Sequence, residues 1–216
     1  MVEVFEQMDK MYRRQRYFYD LTRKYYLLGR DKLLKQINVG DAKKILEIGC
    51  GTGRNLIVLA KKYPRAKFYG LDASSEMLKT ARAKVGAKNL KNVCLKTALA
   101  SDYNHRATFD SETPFDAIYF SYSISMIPDW QTSIANALAN LKPGGSLHIV
   151  DFYDQKNLPA WFRRILKSWL KQFHVEYPKE LLPHLEKLER QGSGKLEIVS
   201  IARRYAFIAK FQKPSE

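Results

Sequence analysis

The amino-acid sequence predicts an α/β fold, a largely parallel sheet with helices on both faces, and three observations carry that prediction. From Lys43 onward, short apolar runs alternate with amphipathic stretches of helical period, the pattern that packs a parallel sheet between helices. A glycine-rich turn, Gly49-Cys50-Gly51-Thr52-Gly53, joins the first apolar run to the first amphipathic one, as a tight strand-to-helix connection requires. Near the end, Gly192-Ser193-Gly194 introduces two β-rich runs in close succession, which read as an antiparallel pair.

Residues 1–36 read as a helical lead-in, with Arg13, Arg16, Arg23, Lys24 and Arg30 interleaved among Tyr12, Tyr19, Tyr25, Tyr26 and Leu27. Strands are expected at 44–48, 67–71 and 92–96, with helices at 54–62 and 74–84 between them. The polar stretch 101–114 reads as loop with a short helix, 115–121 as a fourth strand and 131–141 as a helix. Pro143-Gly144-Gly145 reads as a turn and 146–152 as a fifth strand, followed by helical stretches at 159–173 and 179–190 and the terminal runs 196–201 and 205–211. No internal repeat or low-complexity segment interrupts them. The expected organisation is a single domain over 1–216, with a helical, membrane-facing lid at 1–36, a core at 43–152 and helices and terminal strands at 153–216.

A chain of 216 residues can bury about 70 % of the surface its unfolded form exposes, so its core needs no covalent staples. Its cysteines are Cys50, in the glycine turn, and Cys94, in a predicted strand, which suits neither a disulfide framework nor a zinc site and points to a reducing compartment. Glu3, Glu6 and Asp9 precede any apolar run, and no stretch approaches the ~18 apolar residues of a membrane span. A cytoplasmic protein, soluble or peripheral, is expected. Lys and Arg number 37 against 22 Asp and Glu, giving a net charge of +15. Such an excess favours anionic partners, phospholipid or nucleic acid, although a basic solvated surface would also account for it.

Two carboxylates frame the candidate site. Glu47 precedes the glycine turn, and Asp72 closes the second strand in Tyr69-Gly70-Leu71-Asp72-Ala73. A carboxylate at that strand end is placed to accept hydrogen bonds from both hydroxyls of a ribose, so a nucleoside-containing cofactor is implied. The dinucleotide fingerprint wants glycine at the sixth position of the turn, where this chain has Arg54, so a pyrophosphate would sit poorly. Ligands of open α/β sheets lie at the carboxyl ends of strands, near the switch in strand order. That rule gathers Glu47, Asp72, the residues around Ala98 and Ser121 to Ser125 into one crevice.

The stretch 159–173 adds a second feature. On a helix, Trp161, Phe162, Ile165, Leu166, Trp169, Leu170 and Phe173 share a broad face, while Arg163, Arg164, Lys167 and Lys171 fall largely on the other or at its borders. Such a helix suits a membrane interface, where each basic residue near an anionic leaflet adds about 1 kcal/mol. The same pattern also suits a helix covering the sheet, its arginines and lysines snorkelling.

The pattern acid-x-Gly-x-Gly-x-Gly led by Glu47 resembles motif I of the class I S-adenosylmethionine-dependent methyltransferases. Two longer motifs, Tyr12-Arg13-Arg14-Gln15-Arg16 continuing through Tyr19 to Asp31, and Phe120-Ser121-Tyr122-Ser123-Ile124-Ser125-Met126-Ile127-Pro128-Asp129-Trp130, resemble the betaine-lipid N-methyltransferases. The resemblance runs from about Met8 to the last strands. It implies a Rossmann-like sheet of seven strands in the order 3-2-1-4-5-7-6, S-adenosylmethionine as donor, and successive methylation of the amine of diacylglycerylhomoserine to the trimethyl betaine lipid.

Carried over residue by residue, the resemblance makes Gly49, Gly51 and Gly53 the backbone cradle. Asp72 holds the ribose, with Ala73 and Ser74 beside it and Met77 near the adenine, and Asn55 stands with Glu47 at the head of the first helix. Ala98 lies by the adenine; relatives commonly carry Asp just before it, where this chain has Thr97, and Asp102 is the nearby carboxylate that would compensate. Ser121 and Tyr122 face the transferred methyl group, while Tyr19 and Arg30 close over the amino-acid tail of the cofactor. For the acceptor the candidates are Tyr12, Arg16, Arg23, Tyr122, Trp130 and Tyr153, aromatic faces attracting a methylated ammonium by about 0.5–2 kcal/mol each. Aromatic residues at helical spacing also serve as ordinary packing. Tyr122 and Tyr19 are the candidate positioning residues at the reaction centre.

Methyl transfer from a sulfonium is an in-line displacement, so the protein must chiefly align donor and acceptor and exclude water. An α-amino group titrates near about 8, so its neutral fraction makes a dedicated general base optional. The partners expected are a lipid substrate and an anionic membrane surface, at the inner face of the membrane, with no metal and with an upstream 3-amino-3-carboxypropyl transferase supplying the acceptor. Phosphatidylethanolamine is the alternative acceptor. A reading of another class is a non-catalytic cofactor-binding or nucleic-acid-binding protein on the same fold. The fourth strand lacks the Asn-Pro-Pro-Tyr type of signature seen in enzymes that methylate amino groups of nucleic acid.

Overall fold

A computed structural model describes residues 26–37, 39–40, 43–171 and 177–215. In chain order its elements are α1 (Arg30–Gln36), β1 (Lys44–Ile48), α2 (Arg54–Lys62), β2 (Lys67–Asp72), α3 (Ser75–Ala87), β3 (Val93–Thr97), α4 (His105–Phe109) and β4 (Phe115–Ser121). A short 3₁₀ turn, Ile124–Met126, leads to α5 (Trp130–Ala139), β5 (Leu141–Phe152), α6 (Ala160–Lys171), α7 (Leu181–Arg190), β6 (Lys195–Ile201) and β7 (Ala206–Gln212).

The seven strands form one sheet in the order β3-β2-β1-β4-β5-β7-β6, the order the family resemblance implies. Strands β3 to β5 are parallel, and β7 runs antiparallel to both β5 and β6. Strands β1 and β4 read as nearly unbroken apolar runs because helices cover both faces, burying Ile45, Leu46 and Ile48 and then Ala117, Ile118 and Phe120. The core is divided accordingly. One cluster includes Leu33, Leu56, Leu78, Tyr119 and Ile208, and the other Phe115, Phe120, Ile134, Leu185 and Phe207. The order reverses at β1, which pairs with β2 on one side and β4 on the other, so the crevice of the switch point opens beyond Ile48.

Several boundaries differ from those read in the sequence. The helix expected at 74–84 begins one residue later, because the Ser74 hydroxyl caps it by accepting from the Met77 N–H at 3.3 Å, and it runs on through Val85 and Gly86 to Ala87. The expected turn at 143–145 lies inside β5: Leu141 pairs with Phe115, and the register shifts between Phe115 and Ala117 to accommodate the extra residues. That pairing also ends α5 at Ala139 rather than 141. Of the expected lead-in helix, the described part comprises residues 26–36, where Gly29, at φ 86°, immediately precedes α1. No helix among the described residues is long and apolar enough to cross a membrane.

Candidate functional site

The turn after β1 is held by β2. Gly49 and Cys50 both donate their backbone N–H to the Leu71 carbonyl, at 2.7 and 3.0 Å. Two glycines of this turn are needed for different reasons. Gly49 has φ 71°, and a side chain there would place its Cβ 2.5 Å from that of Ser123, so the loop after β4 packs where the side chain would be. Gly51 has φ 53° but no atom of the described residues within 4 Å of an added Cβ, which leaves room for the close approach of a ligand to the backbone. Asp72 reaches back to this turn, one carboxylate oxygen accepting from Gly51 N–H at 2.7 Å and the other from Ser74 N–H at 2.9 Å. These bonds fix a nearly buried carboxylate beside the open space.

A small cavity at the head of α2 is lined by Leu27, Arg30, Glu47, Asn55, Ser121 and, from the glycine turn, Gly49, Cys50 and Thr52. Asn55 Nδ2 donates to Glu47 Oε1 at 2.7 Å, while Glu47 Oε2 and Ser121 Oγ are buried without a hydrogen-bond partner among the described residues. Burial dominates the titration of Glu47, pushing its carboxyl up to about 8 against the opposing influence of Asn55, Tyr119 and Arg30. The Tyr119 hydroxyl stands outside hydrogen-bonding geometry, so its influence is that of a nearby dipole. Burial likewise raises the Cys50 thiol, reinforced by Asp72 and Glu47, which keeps it neutral.

The residues expected at the site are distributed as follows. Glu47, Gly49, Asn55, Arg30 and Ser121 meet in the small cavity, and Asp72 and Ser74 are joined to the glycine turn through hydrogen bonds. Ala73 lies between them in the chain, and Gly53 is the residue capping α2. Met77 is buried at the start of α3, and Ala98 N–H donates to the Asp72 carbonyl at 3.2 Å. Asp102 is exposed and pairs through its backbone with Leu99. Tyr12, Arg16, Tyr19 and Arg23 lie outside the described residues.

Three expected acceptor contacts have other partners. Tyr122 has a left-handed backbone, φ 55°, and is buried; its hydroxyl donates to the Leu28 carbonyl and its ring meets that of Phe152 edge-on at 4.8 Å. It thus ties the chain before α1 to the ends of β4 and β5. Trp130 packs edge-on against His184 at 5.4 Å, between α5 and α7. Tyr153 lies in a separate, larger cleft beyond β5, with the Arg204 guanidinium 4.0 Å over its ring. Two residues went unread in the sequence: Thr52, which lines the small cavity, and Asp151, which is fully buried and accepts from Ser125 N–H at 3.1 Å. The alternating turn pattern pointed to Thr52, but nothing in the local pattern set Asp151 apart from the apolar strand around it.

The polar groups around the turn fit an amino-acid tail attached to a nucleoside. Arg30 can meet a carboxylate, Glu47 an ammonium, and Asp72 a ribose, with Gly51 leaving room between them. Among the described residues there is no group of His, Cys, Asp and Glu arranged to hold a metal ion.

Comparison with known proteins agrees with this geometry. Residues 45–145 match a family model described as a methyltransferase domain. The chain is 29 % identical over 213 residues to a demethylmenaquinone methyltransferase of Geobacillus sp. (strain WCH70), covering 95 % of this chain and 87 % of that one. It is 28 % identical over 183 residues to the enzyme of the same name from Listeria welshimeri, covering 81 % and 74 %. Among solved structures, an S-adenosylmethionine-dependent methyltransferase from Aquifex aeolicus shares the fold with a TM-score of 0.63 at 20 % identity, covering 88 % of this chain and 93 % of that one. So does Haemonchus contortus phosphoethanolamine N-methyltransferase 2 in complex with S-adenosyl-L-methionine, with a TM-score of 0.66 at 16 % identity, covering 86 % and 52 %.

Proposed function

We propose that the chain, whose residues 45–145 match a methyltransferase domain, uses S-adenosylmethionine to methylate a membrane lipid, adding three methyl groups in succession to the amine of diacylglycerylhomoserine. The observation that carries a lipid acceptor is α6. Its Trp161 and Ile165 are 67 % and 61 % exposed, beside an exposed Arg164. Large apolar side chains exposed together on a basic helix favour an anionic membrane interface. The headgroup is favoured by the resemblance of the two long motifs to those of betaine-lipid N-methyltransferases. This reading places the protein peripherally at the inner face of the membrane, downstream of a 3-amino-3-carboxypropyl transferase.

S-adenosylmethionine supplies an electrophilic methyl group on a sulfonium. Gly51 leaves the backbone bare for close approach, Asp72 orients the ribose, and Glu47 and Arg30 hold the two charges of the tail. Ser121, whose Oγ is unpartnered among the described residues at the end of β4, lines the same cavity. An amine attacks through its own lone pair once neutral, so the cavity needs no proton acceptor. Its lining includes no histidine among the described residues.

The names of the curated relatives favour a second reading, methylation of a ring carbon of demethylmenaquinone, another membrane lipid. A hydroquinone ring becomes a good carbon nucleophile when a hydroxyl proton is removed, and a basic residue beside the acceptor would favour that chemistry. The test is transfer of radiolabelled methyl from S-adenosylmethionine to vesicles carrying diacylglycerylhomoserine, demethylmenaquinol or phosphatidylethanolamine. Label in mono-, di- and trimethylated homoserine lipid supports the proposal. Label confined to the quinone or to the ethanolamine lipid moves the assignment there. Flotation with vesicles against retention by RNA at matched salt separates a lipid enzyme from a nucleic-acid-binding protein.

A further inference from the structure

Beyond the end of β5 lies a cleft of about 960 Å³ between α6, α7 and the β6–β7 hairpin. It shares no lining residue with the cofactor cavity, yet it is joined to the reaction side through Phe152, which lines the cleft and packs its ring on Tyr122. Leu170, Leu182 and Pro183 supply apolar wall. The charged lining is unbalanced. Its acids are Asp154 and Glu186, and Asp154 is already engaged by Arg204, whose Nε donates at 2.7 Å, and by Lys156 at 3.7 Å. Arg163, Lys167 and Lys179 remain without an ion pair among the described residues. Gln155 also lines the cleft and is 3 % exposed; its Oε1 accepts no hydrogen bond among the described residues.

We propose that this cleft seats the phosphodiester headgroup of an anionic phospholipid, distinct from the methyl acceptor, with Arg163, Lys167 and Lys179 meeting its charge. The inference rests on the reading that α6 lies on a membrane. The acceptor headgroup, an ammonium with a carboxylate, has no net charge and gives no reason for a surplus of cations, whereas a phosphodiester does. The volume lies within the range of small-molecule ligand pockets, ~300–1,000 Å³, larger than an isolated inorganic anion needs. The helix geometry agrees. Leu166 and Leu170 turn toward the core, so the Trp161–Ile165 row and the Arg163–Lys167 row occupy opposite flanks of α6, with Arg164 outward between them. A helix resting on a bilayer by that outward side inserts Trp161 on one flank and opens the cleft to the headgroup layer on the other.

The two flanks can be separated experimentally. The full chain is titrated with dihexanoylphosphatidylglycerol below its micelle concentration, and in parallel with vesicles of phosphatidylcholine with and without phosphatidylglycerol. The variants are R163Q/K167Q, W161S/I165S, and a charge-matched control, K61Q/K91Q, in the lining of a different pocket along β2 and β3. Saturable binding of the short-chain lipid by the unmodified protein, weakened at least tenfold in R163Q/K167Q and unchanged in W161S/I165S and the control, supports the site. Absence of saturable binding overturns it, as does equal binding by R163Q/K167Q or an equal loss in K61Q/K91Q. Full vesicle binding by W161S/I165S overturns the membrane-surface reading instead, and does so without reference to the short-chain titration.

Discussion

Glu47→Gln should abolish a loss of stability with rising pH. Glu47 is fully buried, with Asn55 on one oxygen and no hydrogen-bond partner on the other, and its carboxyl titrates at about 8 against an ordinary 4.5. The folded state therefore holds a proton that the unfolded chain releases across that interval. For a raised acid, stability is greatest below the unfolded value and falls as pH rises toward the folded one, by at most ~1.4 kcal/mol per pH unit. Glutamine keeps the acceptor for Asn55 and removes the titration. Urea unfolding of both proteins without cofactor, from about pH 5.5 to 7.5, should show the variant gaining ~2 kcal/mol relative to the parent. Contributions of other groups cancel in that difference. A difference that stays flat over the interval would refute the reasoning, because Glu47 would then be ionised in both states. With S-adenosylhomocysteine present the order should invert, since the cofactor ammonium favours the carboxylate, and calorimetry in buffers of different ionisation enthalpy should show proton release on binding by the parent alone.

His148 supplies the opposite slope. Burial holds its imidazole down at about 4, so stability is complete above its unfolded value and declines as pH falls toward the folded one, at most ~1.4 kcal/mol per unit; His148→Gln should flatten that acid limb in the same unfolding series. Gly51→Ala meets no protein atom but must hold a left-handed backbone at ~1–2 kcal/mol; its affinity for S-adenosylhomocysteine, read by calorimetry, should fall more than tenfold because the new methyl group occupies the cradle. Gly49→Ala should instead unfold at clearly lower urea, since its Cβ collides with Ser123. Tyr122→Phe removes the hydrogen bond to the Leu28 carbonyl, and should cost ~1 kcal/mol with loss of hydrogen-exchange protection concentrated in residues 28–34.

The sheet was legible because its signals are periodic and local. Alternation located all seven strands, and the glycine turn with Asp72 located the cofactor end of the sheet. The differences lie where tertiary pairing outweighs local pattern. Pro143-Gly144-Gly145 looks like a turn, but the pairing of Leu141 with Phe115 keeps it within β5. In the small cavity, Glu47, Asn55, Arg30 and Ser121 were identified from motifs. The role of Tyr122 was not, because its contact with Leu28 spans 94 positions, and nothing local distinguishes such a hydroxyl from one facing a substrate. The cleft beyond β5 was hidden for the same reason. It joins α6, α7 and the hairpin, where Arg204 takes φ 62°, a left-handed conformation uncommon for a side-chain-bearing residue.

The distribution of charge explains how so basic a protein can accept a cationic donor. The net charge is +15, but exposed charges are screened within about 8 Å at physiological salt, while Glu47 and Asp72 act from inside. Both are buried, at 2 % and 8 % exposure, where an ion interacts far more strongly with a neighbouring charge than it does through water. The donor thus meets carboxylates in the crevice rather than the average field of the surface. Methyl transfer moves one positive charge from sulfur to the acceptor, leaving a thioether on the cofactor side. On the proposed lipid amine that charge emerges toward the membrane, where anionic headgroups rather than protein carboxylates balance it. A surface rich in Lys and Arg therefore does not conflict with a reaction whose donor and product are cations: it attracts the anionic lipid that surrounds the acceptor. Raising salt should then weaken vesicle association strongly while leaving S-adenosylhomocysteine affinity nearly unchanged, and a parallel loss of both would mean that the buried carboxylates do not set the electrostatics of the cofactor site.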